Sequence, residues 1–297
     1  MTAFLAYAAE LLGATLRLAT PLIFAALGGL LSERSGVINI ALEGKMLIGA
    51  FVAGVCAAAT GSPWLGFLAG GLAGMAMALV YATAVLGLGA DQIVAGTGIN
   101  MLAAGAAPFL GKILYDVTGS TPALTMASRF HLAPLPIALV LSALLAGWMR
   151  WSAGGLRLMV AGEHPAALAA AGVSVKKLRL AAVLAAGFLA GLGGSSLAIY
   201  LASGYSRNMT AGRGFIALAA LILGKWRPLP AVFACLLFGL CDAVQIRLQG
   251  VALMGFGKVP VQFIQMLPYL VTIIVLAGFV GKAEAPKALG LAFKDHE

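Results

Sequence analysis

Side chains that ionise or hydrogen-bond are scarce inside the apolar stretches of this chain, so those recurring there in register are the first candidates for chemistry. Thr97 and Asn100 stand three residues apart, which puts both on one helix face, and Gln262 and Gln265 repeat that spacing in a later apolar stretch. Amide side chains carry donors and an acceptor together. Such a set could line a route along which a polar solute is held weakly and released, or could bond one helix to its neighbour. Ionisable groups gather at Ser32-Glu33-Arg34-Ser35-Gly36-Val37-Ile38-Asn39-Ile40-Ala41-Leu42-Glu43-Gly44-Lys45, a polar, glycine-broken lead-in to an apolar run. Charged groups at membrane depth are functional candidates, whereas near the interface snorkelling and local pairing make them structural. Asp242 lies in another apolar run, with Arg247 five positions on rather than four, and reads as a buried structural acid.

Covalent chemistry finds no support. No nucleophile–base or metal-ligand cluster is visible, the three histidines are far apart, and Cys56, Cys235 and Cys241 all sit within apolar runs as small hydrophobes. Gly-Lys occurs at 44–45, 111–112, 224–225, 257–258 and 281–282, but no Lys is followed by Ser or Thr. The loop that cradles nucleotide phosphates is therefore missing. The chain is expected to bind no cofactor, and if ATP drives it, another chain must hold the nucleotide and its Mg.

The elements that position these residues follow from composition. Of 297 residues 62% are hydrophobic and only 10% charged, against roughly 25% charged in a soluble domain. Uncharged apolar runs recur near the ~20 residues that a membrane-crossing helix needs. The fold class is all-α, polytopic and membrane-embedded, and residues 1–297 form a single transmembrane domain. Nine hydrophobic segments are read at about 14–31, 40–60, 64–88, 93–111, 133–150, 180–202, 214–224, 229–248 and 260–280. Phe4 to Gly13 is expected as a separate interfacial helix. Segment 214–224 is too short to span and must be a half-helix or part of a broken one, buried in protein or lining a cavity.

The net charge of +9 does not suggest nucleic acid, because the basic residues sit at the ends of apolar runs, as the positive-inside rule predicts. Arg150, Arg157, Lys176, Lys177 and Arg179 against the single acid Glu163 mark 150–179 as a cytoplasmic loop. Counting outward puts the C-terminus inside and the N-terminus outside. Within the loop, Pro165 begins and Gly172 ends a short alanine-rich helix, Pro165–Ala171, which is marginal alone in water and is expected to dock on a cytoplasmic partner. Shifting residues 63–102 onto 228–267 aligns Pro63 with Pro228, Gly74 with Gly239, and Thr97 and Asn100 with Gln262 and Gln265. This implies two repeats, about 14–111 and 180–280, inverted in the membrane, with a solute route between them. Gly66, Gly70 and Gly74 share one helix face and predict close helix packing, within the chain or against a partner.

Several of these stretches resemble a known family. Glu33 to Gly44 resembles the signature of permease subunits in bacterial ABC importers of the branched-chain amino acid, ribose and nucleoside group. Gly212-Arg213-Gly214-Phe215-Ile216-Ala217-Leu218-Ala219-Ala220-Leu221-Ile222-Leu223-Gly224-Lys225-Trp226 resembles that family's second signature. Leu156 to Val173 is similar to its cytoplasmic loop, with His164 where Asn is usual and Met159 altering the opening. Asp91 to Gly96, continuing to Asn100-Met101-Leu102, is most similar to one of two permeases in the nucleoside branch.

The resemblance implies an inner-membrane subunit without enzymatic activity. It implies a homologous second permease as heterodimer partner, a cytoplasmic ATPase with two nucleotide-binding halves that carries ATP and Mg, an external substrate-binding lipoprotein, and surrounding membrane lipids. It assigns ATPase coupling to Gly162, Glu163, His164, Pro165, Ala169 and Gly172. The function read from it is nucleoside import. The alternatives are a simple-sugar (pentose) importer permease and an ion-coupled secondary transporter, the latter disfavoured by the scarcity of membrane-embedded carboxylates.

Overall fold

The computed structural model describes residues 2–249 and, beyond them, 252–253, 257–258, 264, 266, 270–271, 273–274 and 284–292. Among the described residues ten α-helices run in the order α1 (Thr2–Arg34), α2 (Leu42–Thr60), α3 (Pro63–Ala82), α4 (Gln92–Tyr115), α5 (Pro134–Trp151), α6 (Ala153–Glu163), α7 (Pro165–Ala170), α8 (Val175–Ser196), α9 (Arg213–Leu223) and α10 (Pro228–Leu248). Short π-helical turns, Thr83–Gly87 and Leu197–Leu201, continue α3 and α8. Two-residue strands, Ala252–Leu253 and Gly257–Lys258, pair antiparallel. Among the described residues seven helices are long and apolar enough to cross a membrane, and Arg213–Leu223 is a shorter apolar helix. Gln262 and Gln265, and most of the segment 260–280, lie outside the described residues.

Two expectations change. Phe4 to Gly13 is not a separate helix: it is the first part of α1, which runs unbroken from Thr2 to Arg34. At 1.5 Å per residue its apolar part, Leu5–Arg34, is about 45 Å long, more than a ~30 Å hydrocarbon core requires. Glu10 therefore stands at an end of the bundle, exposed and 3.2 Å from Arg247 at the close of α10, while Arg247 also stacks on Tyr7. The cytoplasmic-type loop also holds more helix than Pro165–Ala171. An additional helix, α6, precedes α7, with Ser152 capping it by accepting from Gly155 N at 2.9 Å.

Burial orders the bundle. Within α8, 78% of the span is buried, against 22% in α4 and in α5, so α8 is central and α4 and α5 are peripheral. Small residues permit that centre. A Cβ added at Gly70 would meet Ser195 Oγ and the Gly49 carbonyl, and one at Gly74 would meet the Gly187 carbonyl and Gly191. One at Gly66 would meet Ala53 O and Ile199. The glycine face of α3 is thus packed against α2 and α8 of the same chain. Apolar side chains left outward on α4 include Val94, Met101, Phe109 and Ile113.

The contacts at helix ends sort the chain into two faces. Glu10, the end of α10 and the paired loops between α4 and α5 and between α8 and α9 lie on one; Arg207 N donates to Gly119 O at 2.7 Å across those loops. The end of α1, α6, α7 and residues 284–292 lie on the other. The described ends of the chain, residue 2 and residue 292, therefore sit on opposite faces. α3 and α10, which the shifted alignment pairs, both open on a proline and cross the bundle in opposite directions.

Candidate functional site

Between α1 and α2 the backbone of Ser35–Ala41 is irregular, yet most of it is buried. Irregular backbone at membrane depth persists only if each polar group is satisfied inside the protein. Here distant elements supply the partners. Gln92 Oε1 accepts from Ile38 N at 2.8 Å, and the Tyr81 hydroxyl donates to Ile38 O at 2.5 Å. Arg179 Nε donates to Ser35 O at 3.0 Å, and Gly290 N to Gly36 O at 3.0 Å. Asn100 takes two more groups: its Nδ2 donates to Ile40 O at 3.0 Å and its Oδ1 accepts from Gly44 N at 2.8 Å. Lys45, fully buried, donates to Asn39 Oδ1 at 2.5 Å and lies 4.6 Å from the centre of the Tyr81 ring.

The second signature segment closes on the first. Glu43 turns its carboxylate onto the start of α9, where Oε1 accepts from Gly212 N at 2.8 Å and Oε2 from Gly214 N at 2.7 Å. A carboxylate there meets two otherwise unpaired N–H groups and the positive end of the helix dipole. Gly212 has φ of +83°, and a Cβ on Gly214 would strike the Glu43 backbone, so both glycines are required. The far end of α9 is tied as well: Trp226 Nε1 donates to Glu33 Oε2 at 2.6 Å, and Arg34 Nε donates to Trp226 O at 2.7 Å. Segment 214–224, read as a half-helix or part of a broken one, is therefore a strut held at each end by the first signature.

Thr97 is placed differently from Asn100. It is exposed on α4, and its hydroxyl donates to Ile93 O and Val94 O of its own helix at 2.8 and 2.9 Å. Asn100 lies against the first signature, where among the described residues it donates once and accepts once. Sequence reasoning passed over Tyr81, Gln92, Arg179 and Trp226 as site residues. The signal available for Gln92 and Arg179 was a polar group at the margin of an apolar run, and Trp226 closes the second signature stretch, whereas Tyr81 carried none.

The segment expected to contact an ATPase rests on the same structure. Gly162 lies so close to Arg34 O and Gly36 N that no side chain fits, and Glu163 is 3.8 Å from Arg34. His164 precedes α7 and is exposed, and Pro165 takes its first position. Leu168 is buried on Ala161 and Val175, while Ala166, Ala167 and Ala170 face outward and Ala169 is half-buried. Gly172, at φ +77°, ends the turn after Ala169 accepts from its N–H at 2.9 Å. A cavity of ≈ 440 Å³ opens between Glu163–Ala167 and the tail residues Lys287, Ala288 and Leu291. Among the described residues no group of His, Cys, Asp or Glu is arranged to hold a metal ion.

Residues 11–276 match the family model described as a branched-chain amino acid transport system permease component. The chain is 39% identical to the guanosine ABC transporter permease protein NupQ of Bacillus subtilis, covering 94% of this chain and 95% of that protein. It is 38% identical to the nucleoside ABC transporter permease protein NupC of Lactococcus lactis, covering 92% and 93%. The putative glucose ABC transporter permease protein TsgC13 of Haloferax volcanii is 35% identical, covering 95% and 94%. No solved structure matches. With seven apolar spans among its described residues, two interlocked signature segments and a match over nearly its whole length, the chain belongs to the family of branched-chain amino acid type transport-system permease components.

Proposed function

We propose that this permease moves nucleosides across the bacterial inner membrane as one half of an ATP-driven importer. In this reading a homologous second permease completes the pathway, and a cytoplasmic ATPase with two nucleotide-binding halves carries ATP and Mg. An external substrate-binding lipoprotein delivers the solute. The observation that carries the reading is the near full-length likeness to two relatives named for nucleosides, at higher identity than the relative named for glucose.

The face bearing α6 and α7 is the cytoplasmic one. Arg150, Arg157, Lys176, Lys177, Lys225 and Arg227 flank helix ends there, which agrees with the positive-inside rule. On that face α7, with Glu163 and His164 before it, seats on the ATPase. ATP binding draws the ATPase halves together, and the clasp from Gly162 through Arg34 to α9 carries the displacement into the membrane. Thr97 and Asn100, with Gln262 and Gln265 of the second repeat, border the solute route. The opposed directions of α3 and α10 support that inverted arrangement.

The test is uptake of labelled guanosine by cells producing the chain with its partner subunits. Guanosine uptake that unlabelled nucleosides suppress, and ribose or glucose do not, is the expected result. Suppression by sugars alone would favour the simple-sugar reading, for which the Haloferax relative is the specific support. Uptake by the purified chain alone under an ion gradient would make it a secondary carrier.

A further inference from the structure

Arg179 is 2% exposed, yet its guanidinium reaches three separate stretches of chain. Nε donates to Ser35 O of the first signature at 3.0 Å, Nη2 to Ala161 O of α6 at 3.4 Å, and Nη1 to Leu291 O near the C-terminus at 2.9 Å. The C-terminal stretch 284–292 adds its own bonds to the same two neighbours. Ala288 N donates to Gly162 O at 2.8 Å, Gly290 N to Gly36 O at 3.0 Å, and Lys287 N to Glu163 Oε2 at 3.4 Å. The crossing is close-packed backbone: a Cβ on Gly36 would meet Arg179 Nη2 and Ala288 O, and one on Gly290 would meet Ile38. Leu289 packs with Leu30, Met149, Leu221 and Trp226, the cluster that also holds the end of α9.

We propose that residues 284–292, keyed by Arg179, are a positioning strap that makes the coupling helices and the first signature move as one body. The reading rests on the cytoplasmic coupling role given above to α6 and α7. The physical reason is that α6 meets the first signature directly through only a close backbone contact, Gly162 on Arg34 and Gly36, and one long ion pair, Glu163 with Arg34 at 3.8 Å. A force on α7 would slide α6 past the first signature unless a third element were bonded to both. The tail is that element, because Gly162 O, Glu163, Ser35 O and Gly36 O all take their donors from the tail or from Arg179. Arg179 suits the task because its planar fork of donors can serve several carbonyls at once, which an ammonium on a single stem cannot.

The test uses the complete complex in proteoliposomes with its external binding protein, measuring solute moved per ATP hydrolysed. Arg179→Ala and a chain ending before Glu284 should each lower that ratio roughly tenfold, the scale of change when a network linking two sites is cut. Basal ATP hydrolysis and assembly should persist, and Arg179→Lys should fall between. A second readout follows the motion itself. Spin labels at Ala170 and Leu291 should keep one separation with and without ATP in the otherwise intact chain, and should move relative to each other with ATP once Arg179 is Ala. An unchanged transport-to-ATP ratio in both variants, or a separation that already changes in the intact chain, overturns the strap. Loss of assembly in both Arg179→Lys and the shortened chain overturns it too, since the tail would then serve assembly. Failure of a cysteine at Ala166 to cross-link to the ATPase would instead remove the underlying coupling reading.

Discussion

Glu43 joins segments 169 positions apart, and its two hydrogen bonds are the most direct link between the signature segments. Replacing it with Ala strips the start of α9 of both acceptors inside an apolar surrounding. With charge-assisted bonds worth about 1.5–3 kcal/mol each, Glu43→Ala should cost on the order of 3 kcal/mol and lower the unfolding temperature in detergent. Glu43→Gln retains one acceptor and should lose less; equal stability of all three proteins would show the clasp to be idle. Asn100 and Thr97 separate two roles that their spacing alone left together. Asn100→Leu leaves Gly44 N and Ile40 O without partners, at about 1–3 kcal/mol per buried group. Thr97→Val removes only a bond back to its own helix and should leave stability unchanged. Slower nucleoside uptake by Thr97→Val at wild-type stability is the outcome expected of a route-lining residue, and unchanged uptake would take Thr97 out of the route. None of this division was legible in the sequence, because an i, i+3 pair gives a shared face but not what lies opposite it.

At the scale of the elements, the apolar runs gave most spans to within a few residues, since continuous hydrophobicity bounded by Gly, Pro or charge is a local property. The misreadings arose where a tertiary contact decided. Phe4 to Gly13 looked separate because Glu10 interrupts it, but Arg247 and the length of α1 hold that acid beyond the apolar core. α6 was missed because its residues, rich in glycine and leucine, gain helical order from Ser152 and from the surface of α1 and α8. Gly66, Gly70 and Gly74 left open whether the partner helix was internal, and the answer is α2 and α8. Gly70→Leu should therefore fail at folding of the subunit itself, before any pairing with a second permease, because overpacking a close backbone contact displaces both neighbours. The check is the yield of monodisperse protein when the chain is produced alone. Near-normal yield with lost pairing would mean that the glycine face serves the subunit interface instead.

For the whole molecule, two opposed faces make the sense of insertion measurable. The face with α6, α7 and the tail carries the dense basic residues, and the paired loops on the other carry Lys112, Arg129 and Arg207 more sparsely. Since the K/R bias sets orientation, a cysteine at Ala166 should react with a membrane-impermeant reagent only in inside-out vesicles, and one at Ala127 only in intact cells. Both positions are exposed, so reagent access depends on sidedness rather than on burial. Cys235 and Cys241 are buried, which leaves Cys56 as the native thiol to remove first. The same pair of sites then reports on coupling. Glu163→Lys places a cation beside Arg34 and Lys287, removes the acceptor that both approach, and sets like charges where α6 meets the end of α1. Labelling of Ala166 and Ala127 should be unaltered in that variant, because its insertion signals are intact, while transport per ATP falls. Should transport remain at the unsubstituted level, the path from the cytoplasmic face into the membrane would have to bypass Glu163 and run through the Gly162 backbone contact and the bonds of Arg179 and the tail.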